Sequence, residues 1–453
     1  MHQLFFWSAT RPLPIQITLK YPFALFVSCL KSQAGNISRP IYFYLVVTIN
    51  KNGYNLFMRI ILFAGKGGVG KTSIAAATGV KIAHQGLRTL VMSLDPAHSL
   101  SDAFDLKKTL MDKSKGLPFK INKKLWIQEL DIQEELQKNW GEVQKYVSIL
   151  LNATGIQELA AEELAILPGM EEISILLHIN KYWRAHLYDV IILDCAPTGE
   201  SIRFVSIPTA LEWYMKKLFK LERRVAHYVR PIAKRISDVP LPEDSYFDCI
   251  EHLFSRLEGI DKLLTNPNIT TVRLITNPEK MVLKETQRAF MFFNLYKLCT
   301  DALIINRILP KGVKDSYFNL WKESQEGYID LAMEHFSPVP IFKVSLFTNE
   351  VLGYESLKRL AEEIYRDKNP ADIFYSKGPY DFCKQDGAYV LRLNLPFVTK
   401  DEVELNKIGD ELVVRVGSFK KHIILPRSFA LNKPNKAIIE GKTLTIKFGG
   451  KDG

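Results

Sequence analysis

The sequence predicts an α/β protein with a parallel sheet flanked by helices, followed by a small all-β sandwich. Short apolar runs alternate with segments of helical periodicity from residue 59 to residue 305, which is typical of buried parallel strands joined by helices. Two longer helical segments interrupt this alternation. Beyond Pro379 the apolar residues recur with the period of two that strands require.

The first element of the sheet is the strand Arg59–Ala64, which leads into a Gly-rich loop. The helix Ser73–His84 follows, because apolar residues recur there at helical spacing. Further apolar runs predict the other parallel strands: Leu87–Leu94, Leu125–Leu130, Val190–Leu193, Val272–Ile275 and Ala302–Ile305.

Two segments do not fit the alternation of strands and helices. Gln133–His186 and Phe204–Leu264 are helical in pattern and rich in large apolar side chains. They predict a helical insertion beside the sheet, and we place the whole α/β domain at residues 58–370.

The small domain, at residues 379–449, is predicted from alternating apolar positions. Gly409-Asp410 and Glu440-Gly441-Lys442 supply turns between its strands. The alternating residues are Tyr389, Leu391, Leu393 and Leu395, then Leu412, Val414 and Val416, then Leu444, Ile446 and Phe448.

Residues 1–57 are predicted to be an extension outside the fold. Its apolar runs, Tyr21–Leu30 and Pro40–Asn50, are shorter than the ~20 residues that a membrane helix needs. Lys20, the first run and the following Ser32-Gln33-Ala34 together are similar to a secretory signal, and the lack of acidic residues also suits a plastid transit peptide. We favour a third interpretation, in which Met58 is the true start.

Composition excludes some classes of function. The net charge of +11 is not gathered in a basic arm, so a nucleic-acid partner is not indicated. The five cysteines are odd in number and lack C-x-x-C spacing, which argues against a disulfide framework and a structural zinc site. A reducing compartment suits this pattern. We expect a cytoplasmic protein, or a protein of the plastid stroma if the extension is a transit peptide.

The Gly-rich loop carries the most specific motif. Residues 65–72 satisfy G-x-x-x-x-G-K-[ST] between a strand and a helix, the pattern of a P-loop that binds nucleoside triphosphates. Backbone N–H groups and the helix N-terminus would surround the phosphates. Lys71 would reach the β- and γ-phosphates of ATP, and the Thr72 hydroxyl would bind Mg²⁺.

Other residues near the strand ends extend this site. Lys66, a second lysine in the loop, either reaches a phosphate of a facing subunit or is a solvated loop lysine. Asp194 ends an apolar run at the position of a carboxylate that holds Mg²⁺. Asp95 ends another run and would orient the attacking water, although an Asp-Pro pair also marks an ordinary turn.

Together, the loop with two lysines, Asp95–Ser99 and Asp194–Gly199 resemble the arsenite-pump and tail-anchored-protein targeting ATPases, a family with a deviant Walker A loop. The resemblance covers Met58 to about Arg366. It implies an ATP-binding homodimer in which Lys66 crosses the interface and Asp95 polarises the water. Asp95–Ser99 would be switch I and Asp194–Gly199 switch II. Asn306 matches the family's adenine-reading asparagine, and Leu346–Val351 would lie near the base.

The sequence also departs from the family. Lys311–Pro338 lacks the cysteine pair with which some targeting ATPases bind zinc across the dimer, so no zinc is expected. One P-loop and no cysteine cluster put arsenite stimulation in doubt. The small domain is similar to the α-crystallin domain of small heat-shock proteins, as in the prokaryotic and plastid branch of the family.

A client site is predicted in the helical insertion. Met and aromatic side chains suit an adaptable apolar groove, although ordinary helix packing explains them equally well. The function expected is an ATP-driven homodimeric switch that binds hydrophobic or amphipathic protein segments, and peripheral membrane association is compatible with it. The alternative is the catalytic subunit of an arsenite or anion efflux pump. The apolar residues are Leu211, Trp213, Tyr214, Met215, Leu218, Phe219 and Leu221, with Arg223, Arg224, Arg230, Lys234 and Arg235 at the rim.

The predicted site has three groups of residues. The catalytic residues are Asp95, Lys66 and Lys71, and the metal ligands are Thr72 and Asp194. The ATP-binding residues are Gly65, Lys66, Gly67, Gly68, Val69, Gly70, Lys71, Thr72, Ser73 and Asn306.

Overall fold

The computed structural model describes residues 58–94, 99–107, 114, 116–130, 140, 143, 145–146, 148, 170–195, 198–215, 219–236 and 241–449, together with two strands closer to residue 1. The chain divides into two compact units, Met1–Leu56 and Phe57–Gly453. In the first unit, strand β1 (Gln3–Phe6) pairs antiparallel with β2 (Ile15–Thr18). The two apolar runs of the extension lie outside the described residues.

The second unit contains the predicted parallel sheet. Its strands are β3 (Arg59–Gly65), β4 (Thr89–Ser93), β5 (Phe119–Lys120), β6 (Leu125–Glu129), β7 (Val190–Asp194), β8 (Thr270–Thr276), β9 (Thr300–Ile308) and β10 (Ile341–Ser345). Their order is β10-β9-β8-β3-β7-β4-β6-β5. Among these described strands β5 pairs antiparallel with β6, whereas the other neighbours are parallel.

Helices cover both faces of the sheet. One apolar core lies against α1, α2 and α10, and a larger one lies against α3, α4 and α6 to α9. The fold predicted from alternating apolar runs is therefore confirmed. The helices are α1 (Lys71–His84), α2 (Ser99–Ala103), α3 (Met170–Arg184), α4 (Thr198–Tyr214), α5 (Lys220–Ile236), α6 (Asp244–Leu257), α7 (Ile260–Thr265), α8 (Lys280–Leu295), α9 (Asn319–Phe336) and α10 (Tyr354–Tyr365).

The sequence prediction missed some elements of the sheet. It contained neither the edge strand β10 nor the short strand β5, because both are too brief or too polar to give a clear apolar run. The predicted helical insertion corresponds to α3 through α7. Most of its first part, residues 131–169, lies outside the described residues.

The small domain, here called the β domain, is a sandwich of two antiparallel sheets, as predicted. Gly409 and Gly441 have positive φ values of 60° and 57° at its hairpin turns, where glycine meets no Cβ clash. The sheet orders are β11-β12-β17-β16 and β13-β14-β15. Its elements are β11 (Tyr380–Gln385), β12 (Ala388–Asn394), β13 (Val403–Ile408), β14 (Glu411–Val416), β15 (Phe419–Ile424), α11 (Arg427–Ala430), β16 (Pro434–Glu440) and β17 (Thr443–Phe448).

A cluster of buried charges fixes the linker, residues 366–379, that joins the two domains. Asp301 accepts hydrogen bonds from Arg59 at 3.1 Å and from Arg273 at 3.3 Å. Arg273 also donates to the carbonyl oxygen of Asp372 in the linker at 3.0 Å. The backbone N–H of Phe374 donates to Asp301 at 3.4 Å. The linker is thus held by groups that belong to three strands of the sheet.

Candidate nucleotide-binding site

The loop from Gly65 to Thr72 connects β3 to α1. Gly68 and Gly70 have φ values of 79° and 90°, a region that side-chain-bearing residues seldom adopt. A Cβ on Gly70 would lie 2.6 Å from Asn306 Nδ2, and one on Gly65 would overlap the carbonyl oxygen of Ile275. Gly65, Gly68 and Gly70 are therefore required by backbone conformation or by close approach of neighbouring groups.

Helix α1 begins directly at this loop. Its N-cap is Gly70, whose missing side chain gives the first turn no capping group. The free N–H groups of a helix N-terminus are a ready site for an anion. The loop is therefore built to receive a phosphate.

Lys71 is buried at the base of the loop, with 7% of its surface exposed. Its Nζ donates to the carbonyl oxygen of Lys66 at 3.2 Å. A buried ammonium is costly unless a negative charge accompanies it. A phosphate in the loop would provide that charge.

The Lys66 side chain extends in a different direction from that of Lys71. Its Nζ lies 4.0 Å from Glu285 Oε2 on α8, and about a third of each side chain is exposed. The two lysines of the motif therefore separate: Lys71 lies across the loop backbone, and Lys66 extends towards a neighbouring helix.

Asp194 is the last residue of β7 and is fully buried. It lies in register with Phe63 of β3 and Ser93 of β4, so it is one strand away from the loop. Thr72 is the second residue of α1. A hydroxyl and a carboxylate are the oxygen ligands that Mg²⁺ prefers, and the two residues fit the predicted metal site in their chemistry.

Asp95 lies outside the described residues, and its catalytic role stays a prediction. The elements on either side of it are described: β4 ends at Ser93, and α2 begins at Ser99. The N–H groups of Leu100 and Ser101 both donate to Glu129 Oε1, at 2.9 and 2.8 Å. Glu129 thus holds the helix that begins at the end of the predicted switch I, a role that sequence reasoning missed.

Asn306 lies near the end of β9 and is largely buried. Its Nδ2 donates to the carbonyl oxygen of Val69 at 2.8 Å, so the side chain contacts the loop itself. Leu346, which follows the neighbouring strand β10, donates its N–H to Ile308 at 2.8 Å. These contacts put both regions at the carboxyl edge of the sheet, while adenine recognition stays a prediction.

The predicted residues that the structure describes therefore meet at one edge. The loop follows β3, Asp194 ends β7, and Asn306 is near the end of β9. The carboxyl edge of a parallel α/β sheet is where such folds bind ligands. A glycine cradle, a helix N-terminus, a buried lysine and a carboxylate can together bind a nucleoside triphosphate with its metal ion.

The fold and this loop define a P-loop nucleoside triphosphatase. The sequence matches the family model described as anion-transporting ATPase over residues 58–366, and the model described as an HSP20-like domain found in ArsA over residues 386–448. The chain belongs to the anion-transporting ATPase family and is an ATPase. The predicted resemblance is confirmed for both domains.

Curated relatives span most of this chain. It is 51% identical over 393 residues to the "Putative arsenical pump-driving ATPase 1" of Aquifex aeolicus (strain VF5), covering 86% of this chain and 99% of the relative. It is 38% identical to the "Putative arsenical pump-driving ATPase" of Chlorobaculum tepidum, covering 86% and 96%. It is 28% identical to "ATPase get3" of Pyrenophora tritici-repentis, covering 68% and 91%.

The described residues contain neither a cluster of metal-binding side chains nor a membrane-spanning helix. No group of three or more His, Cys, Asp or Glu side chains is arranged to hold a metal ion in that part of the chain. Among the helices described, none combines the length and the apolar character needed to cross a membrane.

Proposed function

We propose that this ATPase is a homodimeric switch that binds hydrophobic or amphipathic protein segments through its helical insertion. The observation that supports this most directly is an exposed apolar stripe on α5. Leu221 is 58% exposed, Val225 50%, Tyr228 74% and Val229 41%. Their spacing puts them on one face of the helix, and contiguous exposed apolar side chains are typical of an interaction surface.

The other side of α5 is anchored. Phe219 and Ala226 are buried with Phe247 of α6, and the Phe219 and Phe247 rings lie 5.9 Å apart. Arg223 forms ion pairs with Asp248 at 2.7 Å and Glu251 at 2.8 Å. The exposed stripe is therefore presented by a helix whose opposite side is packed.

An apolar cavity of about 210 Å³ lies close to this anchor. Tyr214 and Met215 line it and also pack against the buried cluster of Phe219. Methionine and aromatic walls adapt to different apolar ligands. The lining also includes Leu211, Tyr246, Ile250 and Phe254.

The predicted client residues therefore separate into two groups. Phe219 is core, with 4% of its surface exposed, whereas Leu221 is available to a ligand. Leu218 lies outside the described residues, as do the side chains of Arg230, Lys234 and Arg235. Arg224 is exposed and suits a polar rim.

ATP bound at the carboxyl edge of the sheet, around the P-loop, would control this surface. Lys71 binds the phosphates, Asp95 orients the attacking water, and Lys66 reaches the nucleotide of the facing subunit. The direction of Lys66, away from its own loop, supports the last role. Mg²⁺, held by Thr72 and Asp194, would neutralise charge that develops on the phosphates.

The alternative function is an ATPase subunit of an arsenite or anion pump, which the names of two relatives favour. Metalloid binding by thiols needs thiolates close together. Cys195 follows β7 and Cys299 precedes β9, with β3 and β8 between them, so about 14 Å separates them laterally. Burial raises the pKa of the Cys299 thiol to about 12, which makes it a poor ligand at neutral pH.

The test is ATP turnover by the full chain with an apolar helical peptide in one arm and arsenite in the other. We expect stimulation by the peptide alone. A Leu221→Ser, Tyr228→Ser double variant should lose it, while Leu431→Ser, which alters an equally exposed apolar side chain of the β domain, should keep it. Stimulation by arsenite and not by peptide would favour the pump.

Two variants test the ATP cycle itself. Asp95→Asn should keep ATP binding and lose hydrolysis, by about 10²- to 10⁴-fold for a general base. Lys66→Ala should impair turnover by preventing the ATP-bound dimer. Full activity of Lys66→Ala in a monomer, measured by light scattering, would contradict the role of Lys66 across the interface.

A further inference from the structure

The β domain contacts α4, α8 and α9, and the first two of these helices also reach the nucleotide edge. Helix α8 carries Glu285 beside Lys66 of the loop. Helix α4 begins at Thr198, within the predicted switch II and four residues after Asp194. The two contacts with the β domain differ in kind.

The contact with α8 is apolar and extensive. Met291 and Leu295 of α8 belong to the buried core of the β domain. The rings of Phe292 and Phe419 lie 5.2 Å apart, and the Tyr380 hydroxyl donates to the carbonyl oxygen of Leu295 at 2.6 Å. Burial of apolar surface of this kind stabilises a contact, so the β domain is attached to α8.

The contact with α4 is small and polar. Lys421 of β15 donates to the Thr209 hydroxyl at 2.9 Å. The rings of Trp213 and His422 lie 6.3 Å apart. Lys421 is itself buried over the ring of Tyr296, with Nζ 4.5 Å from the ring centroid. A single hydrogen bond and one ring contact are weak enough to break when a helix shifts.

The geometry of α4 allows it to transmit such a shift. Thr209 lies eleven residues beyond the start of the helix, about 16 Å along its axis. It also follows Pro208, which lies inside the helix and cannot donate a backbone hydrogen bond. A change at the N-terminal end of α4 would therefore reach β15 along a single helix. The backbone hydrogen bonding of that helix is interrupted at Pro208, next to the residue that Lys421 contacts.

We propose that the β domain senses the nucleotide state of the ATPase domain through α4, with Lys421 and His422 as the sensing residues. When switch II rearranges, α4 moves relative to α8, and the Lys421–Thr209 bond forms or breaks while the apolar attachment persists. The inference rests on the ATPase activity of the family and does not require the client-binding role.

The experiment is hydrogen–deuterium exchange of the full chain in three states: without nucleotide, with ADP, and with a non-hydrolysable ATP analogue. Protection of the loop peptide reports nucleotide binding. We expect the analogue to change exchange in the β15 peptide and in the part of α4 around Thr209. The Lys421→Met variant, which keeps the side-chain stem on Tyr296, should lose the change in β15. Thr209→Val removes the same bond from the other side and should have the same effect.

Lys420→Met is the matched control, since Lys420 lies on the same strand with its side chain exposed. It should behave as the wild type. By linkage, Lys421→Met should also change the affinity for the analogue, by about fivefold or more if coupling is of the usual size. Loop protection with unchanged exchange in β15 would overturn the inference, as would a full nucleotide response in both Lys421→Met and Thr209→Val.

Discussion

Two of the regions in which the described part of the ATPase domain buries charge are completed differently. Beneath the linker, Arg273 is fully buried and donates to Asp301, to the Tyr365 hydroxyl at 3.1 Å and to the Asp372 carbonyl oxygen. Its guanidinium also lies 4.6 Å from the Phe374 ring centroid. The protein supplies the partners of this charge.

The carboxyl edge of the sheet around the P-loop is arranged for charged partners that a ligand would supply. Lys71 is buried there beside the glycines of the loop, and it donates to a backbone carbonyl oxygen. Asp194 is buried one strand away. Two kinds of buried charge can thus be distinguished: in a structural cluster the chain itself supplies the partners, and in a ligand site buried charge lies beside a backbone cradle.

The largest expected effect is a loss of stability when the carboxylate of the structural cluster is removed. Asp301→Asn leaves two buried guanidinium groups without their carboxylate, and burial already lowers the pKa of Arg59 to about 10. Removing one partner of a buried ion pair costs about 3–5 kcal/mol. Urea unfolding should therefore show a large fall in the midpoint.

Asp248→Asn is the control for that comparison. It breaks the ion pair with Arg223 on the exposed side of α6, and pairs of this kind contribute about 0–1 kcal/mol. If the two substitutions lower the midpoint equally, the linker cluster is not a structural element.

Lys71→Ala tests the other region. It should lower ATP affinity by about 10- to 150-fold, since hydrogen bonds to charged groups are worth about 1.5–3 kcal/mol each, while leaving the unfolding midpoint near that of the wild type. Calorimetric titration with ATP measures the first quantity. Lys81→Ala, on the same helix but bonded to Glu362 of α10 and to the carbonyl oxygen of Arg366 in the linker, should bind ATP normally. Unchanged affinity in Lys71→Ala would refute the site.

The sequence predicted the P-loop and its surroundings far better than the cluster of buried charges beneath the linker. The motif at residues 65–72 is local, and its strand and helix are adjacent in the chain. By contrast, Arg59 and Asp301 are 242 residues apart, and their pairing depends on strand order. Composition carries no signal for strand order, so the sequence could not reveal that these charges meet.

The sequence also could not show which apolar side chains are exposed to solvent. Phe219 and Leu221 are two residues apart and equally apolar, yet the first is core and the second is exposed. Helical periodicity shows which residues share a face and not which face meets solvent. Glu129 was missed for a related reason: its partners, Leu100 and Ser101, are brought to it by the pairing of β4 with β6.

Another buried charge, Lys421, lies at the contact between the two domains. Burial lowers its pKa from 10.5 to about 8, the nearby charge of Lys297 acts in the same direction, and Asp261 and Glu212 oppose it. Between pH 8 and 10 the unfolded chain therefore binds more protons at this site than the folded chain. Stability from this group should rise with pH there, by on the order of 1.4 kcal/mol per pH unit at most.

The measurement is the difference in unfolding free energy between wild type and Lys421→Met from pH 7 to pH 10. The rise should appear in the wild type and be absent from the variant. Lys420→Met should follow the wild type. Parallel curves for wild type and Lys421→Met would show that Lys421 stays hydrated in solution.

The smallest effect is expected for Lys66 and Glu285, a partly exposed pair at the nucleotide edge. A double-mutant cycle of Lys66→Met and Glu285→Gln should give a coupling of about 0–1 kcal/mol in the unfolding free energy, and it should shrink in 1 M salt. A weak pair leaves Lys66 free to leave Glu285 and reach a facing nucleotide. A coupling of about 2 kcal/mol or more that persists in salt would place Lys66 with the structural charges, since a lysine held so firmly within its own chain would be a poor group to cross an interface.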